Sequence, residues 1–373
     1  MRIFAILLIL SFLSSGIVAQ DEVTPEVLTT LSATINESSG LVNLDGEIWT
    51  HNDSGGLPAL YQVNVQDGTI IRTVVVQNAT NVDWEDLAMD SSYIYIGDVG
   101  NNSGSRTDLK IYRVSRADLA ANNTVTAEII NYSYSDQTSW VPQPNQTDFD
   151  CEAFIHYQDN LYLFSKDWLD QKTRMYELSD DPGTHVAQYL ETFDVNGLIT
   201  GAEILYPANM LALTGYSSFL MPFTWLFDDF SGTNFFNGTS QRLNWTFLAQ
   251  AEGVCTADTA GLYFSSEKAG FPFNQNPKLF YLDISDYIVL SIKSVKERSV
   301  AITADRSGLY IKSNNDDTLN GEVTITNISG QIIMKNVRIQ GRSCRIPVNW
   351  KSGTYIVTIV SPGGQFSKKV LVG

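Results

Sequence analysis

Cysteine is scarce and odd in number: Cys151, Cys255 and Cys344 are the only three. That excludes a disulfide framework, and their spacing fits no zinc motif, so buried inert thiols are expected. Histidine is as rare, at His51, His156 and His185, with no pair at a helical ligand spacing. A histidine-rich zinc or iron centre is therefore not expected. There is no nucleophile elbow, no His-Glu-x-x-His and no phosphate-cradling glycine loop. Charged residues make up only 17% of the chain, and the net charge of −17 denies nucleic acid the basic face that phosphates require. Long apolar runs are missing too. The one near the start, Ile3 to Leu13, falls short of the roughly 20 residues that a spanning helix needs. No transmembrane span is expected in the mature chain.

That short run is informative in itself. Arg2 precedes it, Ser14, Ser15 and Gly16 follow it, and Ala19 offers a cleavage position, so residues 1–20 read as a signal peptide. Charge then divides the remainder. From Ile292 onward there are 12 Lys/Arg and 5 Asp/Glu, whereas the rest of the chain holds 12 basic and 36 acidic residues. Such a switch at one point marks two units. The expected domains are an acidic body over 24–290 and a basic β-unit over 297–373.

Within the body, a glutamate recurs beside small and apolar residues: Glu37, Glu85, Glu152, Glu203 and Glu252, at intervals of 48, 67, 51 and 49. Periods near 40–50 residues suggest the four-stranded blades of a β-propeller. About ten residues after each glutamate comes a second strand, such as Tyr93-Ile94-Tyr95-Ile96 or Leu161-Tyr162-Leu163-Phe164. A third strand carries an aromatic, as in Ala59-Leu60-Tyr61-Gln62-Val63 and Lys110-Ile111-Tyr112-Arg113-Val114. The long interval is explained by a Pro/Asn/Gln-rich insertion over 137–147. The fifth repeat lacks a fourth strand, and residues 27–35 supply a spare one, which would close the ring and remove its last edge. The expectation is an all-β, five-bladed propeller, a sixth degenerate blade being the alternative, followed by a small immunoglobulin-like β-sandwich.

The basic unit carries Val323-Thr324-Ile325-Thr326-Asn327-Ile328-Ser329-Gly330-Gln331-Ile332-Ile333, then Gly353-Thr354-Tyr355-Ile356-Val357, then Lys368-Lys369-Val370-Leu371-Val372. In order and spacing these blocks resemble the type A C-terminal sorting domain of the type IX secretion system (T9SS) of Bacteroidetes. The resemblance implies passage through the periplasm and an outer-membrane translocon as partner. It also implies removal of the tail, and a protein that is secreted or held at the cell surface. More loosely, Trp84-Glu85-Asp86-Leu87-Ala88, Tyr95-Ile96-Gly97-Asp98-Val99-Gly100-Asn101-Asn102 and Ile111-Tyr112-Arg113-Val114 resemble secreted propellers of the esterase-like phytase type.

The repeat also indicates a site. The innermost strands of a propeller line its central channel. Glu37, Glu85, Glu152, Glu203 and Glu252 would then either converge on the axis, where they would hold a divalent cation, or face neighbouring blades and cap backbone amides. Loops after the second strands bring His51, Asp53, Asp98, Lys166 and Lys268, with Glu267, toward the same mouth as candidates for substrate or anion binding. An oxygen-rich set of six to eight ligands suits calcium. Two functions follow. One is a cell-surface binding or scaffold propeller with a cation in its acidic channel. The other is a metal-dependent phosphoesterase or other ester hydrolase using the same carboxylates.

Overall fold

The computed structural model describes residues 19–206, 208–270, 274–288, 300–305, 307–313, 319–327, 332–348, 350–361 and 364–372. Residues 1–18 of the expected signal peptide, and most of the segment where the charge switches, lie outside these. The chain divides into two compact units, Met1–Tyr287 and Ile288–Gly373.

Strand formation in the first unit follows from its Val-, Ile-, Tyr- and Phe-rich runs, broken by Gly, Asn, Asp and Ser turns. Five strands begin successive antiparallel groups: β1 (Ser38–Leu44), β2 (Trp84–Met89), β3 (Cys151–Tyr157), β4 (Leu198–Leu205) and β5 (Ala251–Thr256). Each pairs with a second strand, and each second strand with a third. Glu26–Thr30 is the fourth strand of the last group, where Val27 pairs with Phe280 and Thr30 with Lys278. The expected closing strand is thus present but stops at Thr30, because Ser32 caps a 3-10 turn over Ala33–Ile35 that buries Ile35.

The first strands pack β1 on β2, β2 on β3, β3 on β4, β4 on β5 and β5 back on β1. Apolar layers fill the space between neighbouring groups. Trp84 and Trp49 lie between the first two, Phe154 and Tyr176 between the second and third, and Phe164 and Trp225 between the third and fourth. Full burial of one such side chain is worth about 1.5–3 kcal/mol, so these layers dominate the stability of the unit. This is an all-β protein with a β-propeller fold.

The outer edges are covered in a way that the repeat did not indicate. Glu128–Tyr134 pairs in parallel with Gly183–Phe193, joining the second and third groups into one sheet. Thr124–Val125 covers the first group, and Ala19–Val23 runs parallel to Thr239–Trp245 on the fourth. Ordered structure therefore starts earlier than residue 24. These additions satisfy backbone groups that an outer strand would otherwise expose.

The second unit has a three-stranded sheet (Val300–Asp305, Gly308–Ser313, Ser343–Pro347) and a four-stranded one (Leu319–Asn327, Ile332–Gly341, Gly353–Ser361, Gly364–Val372). Ile311 and Ile346 of the first share one core with Val323, Val357 and Val370 of the second.

Candidate metal centre

Each of β1 to β5 carries one extra residue near its start. Ser38 pairs with Asn52 and Leu41 with Thr50; Trp84 pairs with Asp98 and Leu87 with Ile96; Cys151, Ile199 and Ala251 head the same irregularity in the other three. Counting from these pairs aligns the strands. The residue after the pair is Ser39, Glu85, Glu152, Thr200 or Glu252. The next is Gly40, Asp86, Ala153, Gly201 or Gly253.

This second layer explains how the strands meet. A Cβ on Gly40 would lie 2.5 Å from the Leu87 nitrogen, one on Gly201 2.3 Å from the Glu252 carbonyl oxygen, and one on Gly253 2.2 Å from the Ser39 carbonyl oxygen. Glycine is needed there for close backbone approach. Ala153 is nearly as small, and Asp86, fully buried, is the one large residue of the set. Its Oδ1 accepts from the Leu87 N–H at 2.8 Å, and its Oδ2 accepts from Phe154 N–H at 3.1 Å and Ala202 N–H at 3.2 Å. One carboxyl thus ties β2, β3 and β4 together by satisfying amides that the bulges take out of the ladders. Burial raises its pKa well above the usual range.

Of the five glutamates, the layer above Asp86 holds three: Glu85, Glu152 and Glu252, all buried. Glu37 lies two residues before this layer and is exposed. Glu203 lies three residues beyond it, where Oε1 accepts from Thr256 N–H at 2.9 Å and Oγ1–H at 2.6 Å on β5. Glu203 is thus a cap on a neighbouring strand, and burial raises its pKa to about 7. Relative to the bulge that all five strands share, Glu37 stands before the layer and Glu203 beyond it, so the spacing of glutamates in the chain does not report their register.

The loops after the second strands deliver Asp53, Asp98, Lys166 and Glu267 to the same end. Asp83 and Asp150, which stand outside the glutamate repeat, join them from two residues before Glu85 and Glu152. The repeated Asp-x-Glu of Asp83-Trp84-Glu85 and Asp150-Cys151-Glu152 was the signal available. Oxygens of Asp53, Asp83 and Glu85 all lie within 4.8 Å of one another. Gly100 closes over them, since a Cβ there would be 2.1 Å from Glu85 Oε1 and 2.5 Å from Asp83 Oδ2. Asp98 is fully buried and its Oδ2 has no hydrogen-bond partner; neither has the buried Oδ1 of Asp53.

Carboxylates outnumber cations in this mouth. Lys166 Nζ donates to Glu152 Oε2 at 2.6 Å, and Arg106 donates to Asp98 Oδ1 at 2.8 Å and to Asp108 at 3.1 Å. Burial opposes the charge on Lys166, but Glu152, Tyr216 and Glu252 outweigh it and hold its pKa well up. Burial, then Glu267 and Asp83, push Asp53 up to about 8. Burial and Asp150 push Asp83 to about 6, and burial raises Glu267 to about 7. Glu85, Glu152 and Glu252 are all driven well up, first by burial. Such a set is costly to ionise unless a cation enters it. The all-oxygen donors fit a hard cation.

Two expected members differ from the rest in their surroundings. His51 is fully buried with its ring edge-on to Trp84, and its Nδ1 contacts the Asn52 carbonyl; burial lowers its pKa to about 4, so it is a neutral packing residue. Lys268 is exposed. Around the mouth, the loops present exposed apolar side chains, among them Leu57, Val82, Leu169 and Phe219, the last 81% exposed. Trp225, Phe227 and Trp245, which follow in the chain, are buried.

Fold and site together define an all-β propeller-type protein with a buried acidic mouth. Its C-terminal part identifies its route: residues 305–373 match the family described as secretion system C-terminal sorting domain. The chain carries a T9SS sorting domain and is secreted or displayed at the cell surface. No helix among the described residues is long and apolar enough to cross a membrane. A comparison with curated proteins found no match. Among solved structures, the chain is similar to an exo-β-1,3-galactanase from Phanerochaete chrysosporium, at 9% identity and a TM-score of 0.46, covering 92% of this chain and 98% of that one. It is also similar to an α-L-arabinanase from Penicillium chrysogenum, at 10% identity and TM-score 0.41, covering 71% and 99%. An aldose sugar dehydrogenase from Streptomyces coelicolor is similar at 10% identity and TM-score 0.38, covering 69% and 97%. At these values the likenesses bear on neither activity nor ligand.

Proposed function

We propose that this protein is an exported five-bladed propeller with an immunoglobulin-like sorting tail, and that it acts outside the cell as a binding or scaffold module. Its acidic mouth holds a divalent cation, calcium. The observation that carries this reading is the group of half-buried Asp53 and Asp83 with buried Glu85, and the oxygens of Asp53 and Asp98 left without partners. A cation there would bridge the first two blades. The apolar side chains around it give a partner an adhesive rim.

The alternative is a metal-dependent ester or phosphoester hydrolase. Lys166 and Arg106 are the groups that would receive an anionic substrate, but both are committed to Glu152 and Asp98. That favours binding over turnover. Elemental analysis of the purified protein, joined to a screen against phosphoesters and carboxylic esters, separates the two. Calcium without turnover is the expected result. Calcium-dependent turnover supports the hydrolase, and protein that carries no calcium and binds none on addition refutes both readings.

A further inference from the structure

At the opposite end of the inner strands lies a cavity of about 680 Å³, lined in part by Asp90, Arg116, His156, Glu203 and Tyr206. Asp90 follows β2, His156 is the penultimate residue of β3, and Asp180 follows the strand Thr173–Ser179. His156 Nε2 lies 3.0 Å from Asp180 Oδ2 and 3.8 Å from Asp90 Oδ2, and the three atoms fall within 4.8 Å of one another. We propose that Asp90, His156 and Asp180 form a second metal site, for a divalent transition-metal ion of the zinc type, open toward this cavity.

Three features support the assignment independently of the acidic mouth. The first is spacing. Ligands about 2.0–2.1 Å from a zinc ion sit roughly 3–3.5 Å apart, and the observed separations of 3.0 and 3.8 Å need only small side-chain adjustment. The second is orientation. Tyr95 O–H donates to Asp90 Oδ2 at 2.8 Å and to Asp180 Oδ2 at 3.2 Å, and its ring stacks on the His156 imidazole at 5.2 Å. Asp90 Oδ1 accepts from the N–H groups of Ser92 and Tyr93 at 2.5 and 2.7 Å, which aims Oδ2 at the histidine. Outer contacts of this kind fix ligands for a metal. The third is charge. Asp90 Oδ2 and Asp180 Oδ2 share one corner with His156 Nε2, while the nearby guanidiniums of Arg113 and Arg116 bond the backbone carbonyls of Asp180 and Asp90; a divalent ion would neutralise both carboxylates and take Nε2 as a third ligand. The nitrogen donor selects zinc-type ions over calcium, and the cavity leaves the remaining coordination positions to water or a ligand.

The test is a zinc titration of the full chain by calorimetry in saturating calcium, with cobalt(II) absorption in parallel. The expected result is one equivalent of zinc taken up beyond calcium, and a visible cobalt band that zinc displaces. His156→Ala abolishes both, and Tyr95→Phe weakens zinc binding about tenfold. Glu85→Gln leaves the zinc isotherm unchanged, which separates this site from the calcium mouth. Should His156→Ala fail to fold, the wild-type cobalt band and Tyr95→Phe decide. No saturable zinc uptake by the wild type, or zinc binding that survives His156→Ala, overturns the proposal.

Discussion

Calcium added to the metal-free protein at pH 8 is expected to raise its melting temperature by about 5–10 °C, and chelation to reverse the gain. A ligand that binds only the folded state at 100 times its Kd contributes about 2.7 kcal/mol. For a domain of this size that corresponds to roughly 2–4 °C per kcal/mol. The dependence on pH has a definite sign. Asp53, Asp83 and Glu267 titrate in the folded protein near 8, 6 and 7, above their values in an unfolded chain. Between pH 4 and pH 8 the folded state therefore holds protons that the unfolded state has released. In these groups stability is greatest below about pH 4 and falls as pH rises through the folded pKa values. Calcium binds the ionised form and so removes the loss. Scanning calorimetry across pH 5–8, with and without calcium, should show two curves that diverge as pH rises. Glu85→Gln should narrow the gap, whereas Glu177→Gln, on an outer strand, should leave it alone. Parallel curves would mean that no cation enters the mouth.

Asp86→Ala is expected to be the most damaging single substitution in the body, at about 3–6 kcal/mol. It leaves the N–H groups of Leu87, Phe154 and Ala202 without their acceptor. Each orphaned buried donor costs about 1–3 kcal/mol. Asp86→Asn keeps one acceptor oxygen, which can serve the Phe154 and Ala202 amides, and should cost less than half as much. Denaturant unfolding of the two variants measures the difference. If both lie within 1 kcal/mol of the wild type, Asp86 is not the tie between β2, β3 and β4.

Much of this was legible in the sequence because strands and turns are local. Ala59–Val63 and Ile70–Val76 fall where their aromatic and β-branched runs place them, and the loops that deliver Asp53, Asp98, Lys166 and Glu267 follow their strands as expected. Register was not legible. The bulge shared by the five inner strands, which fixes the layer of Glu85, Glu152 and Glu252 and the layer of Asp86 below it, is set by packing between blades, to which no local pattern responds. The small residues Gly40, Ala153, Gly201 and Gly253 at the Asp86 position were the available sign. Parallel outer pairings, such as Ile130 with Gly183, join segments far apart in the chain and leave no periodic trace. In the tail, the strands Val300–Asp305, Gly308–Ser313 and Ser343–Pro347 lie outside the three sorting blocks, which therefore give no sign of them. His156 stands near the end of β3, and its partners Asp90 and Asp180 come from two other turns, so no spacing in the chain joins the three.

The claim on which the account rests is that Asp53, Asp83 and Glu85 bind calcium. Calorimetric titration of calcium into the metal-free protein at pH 7.5 tests it most directly. Saturable binding at the mouth is expected, weakened at least tenfold by Glu85→Gln and unchanged by Glu177→Gln. Absence of saturable binding, or an isotherm that Glu85→Gln leaves unaltered, would contradict it.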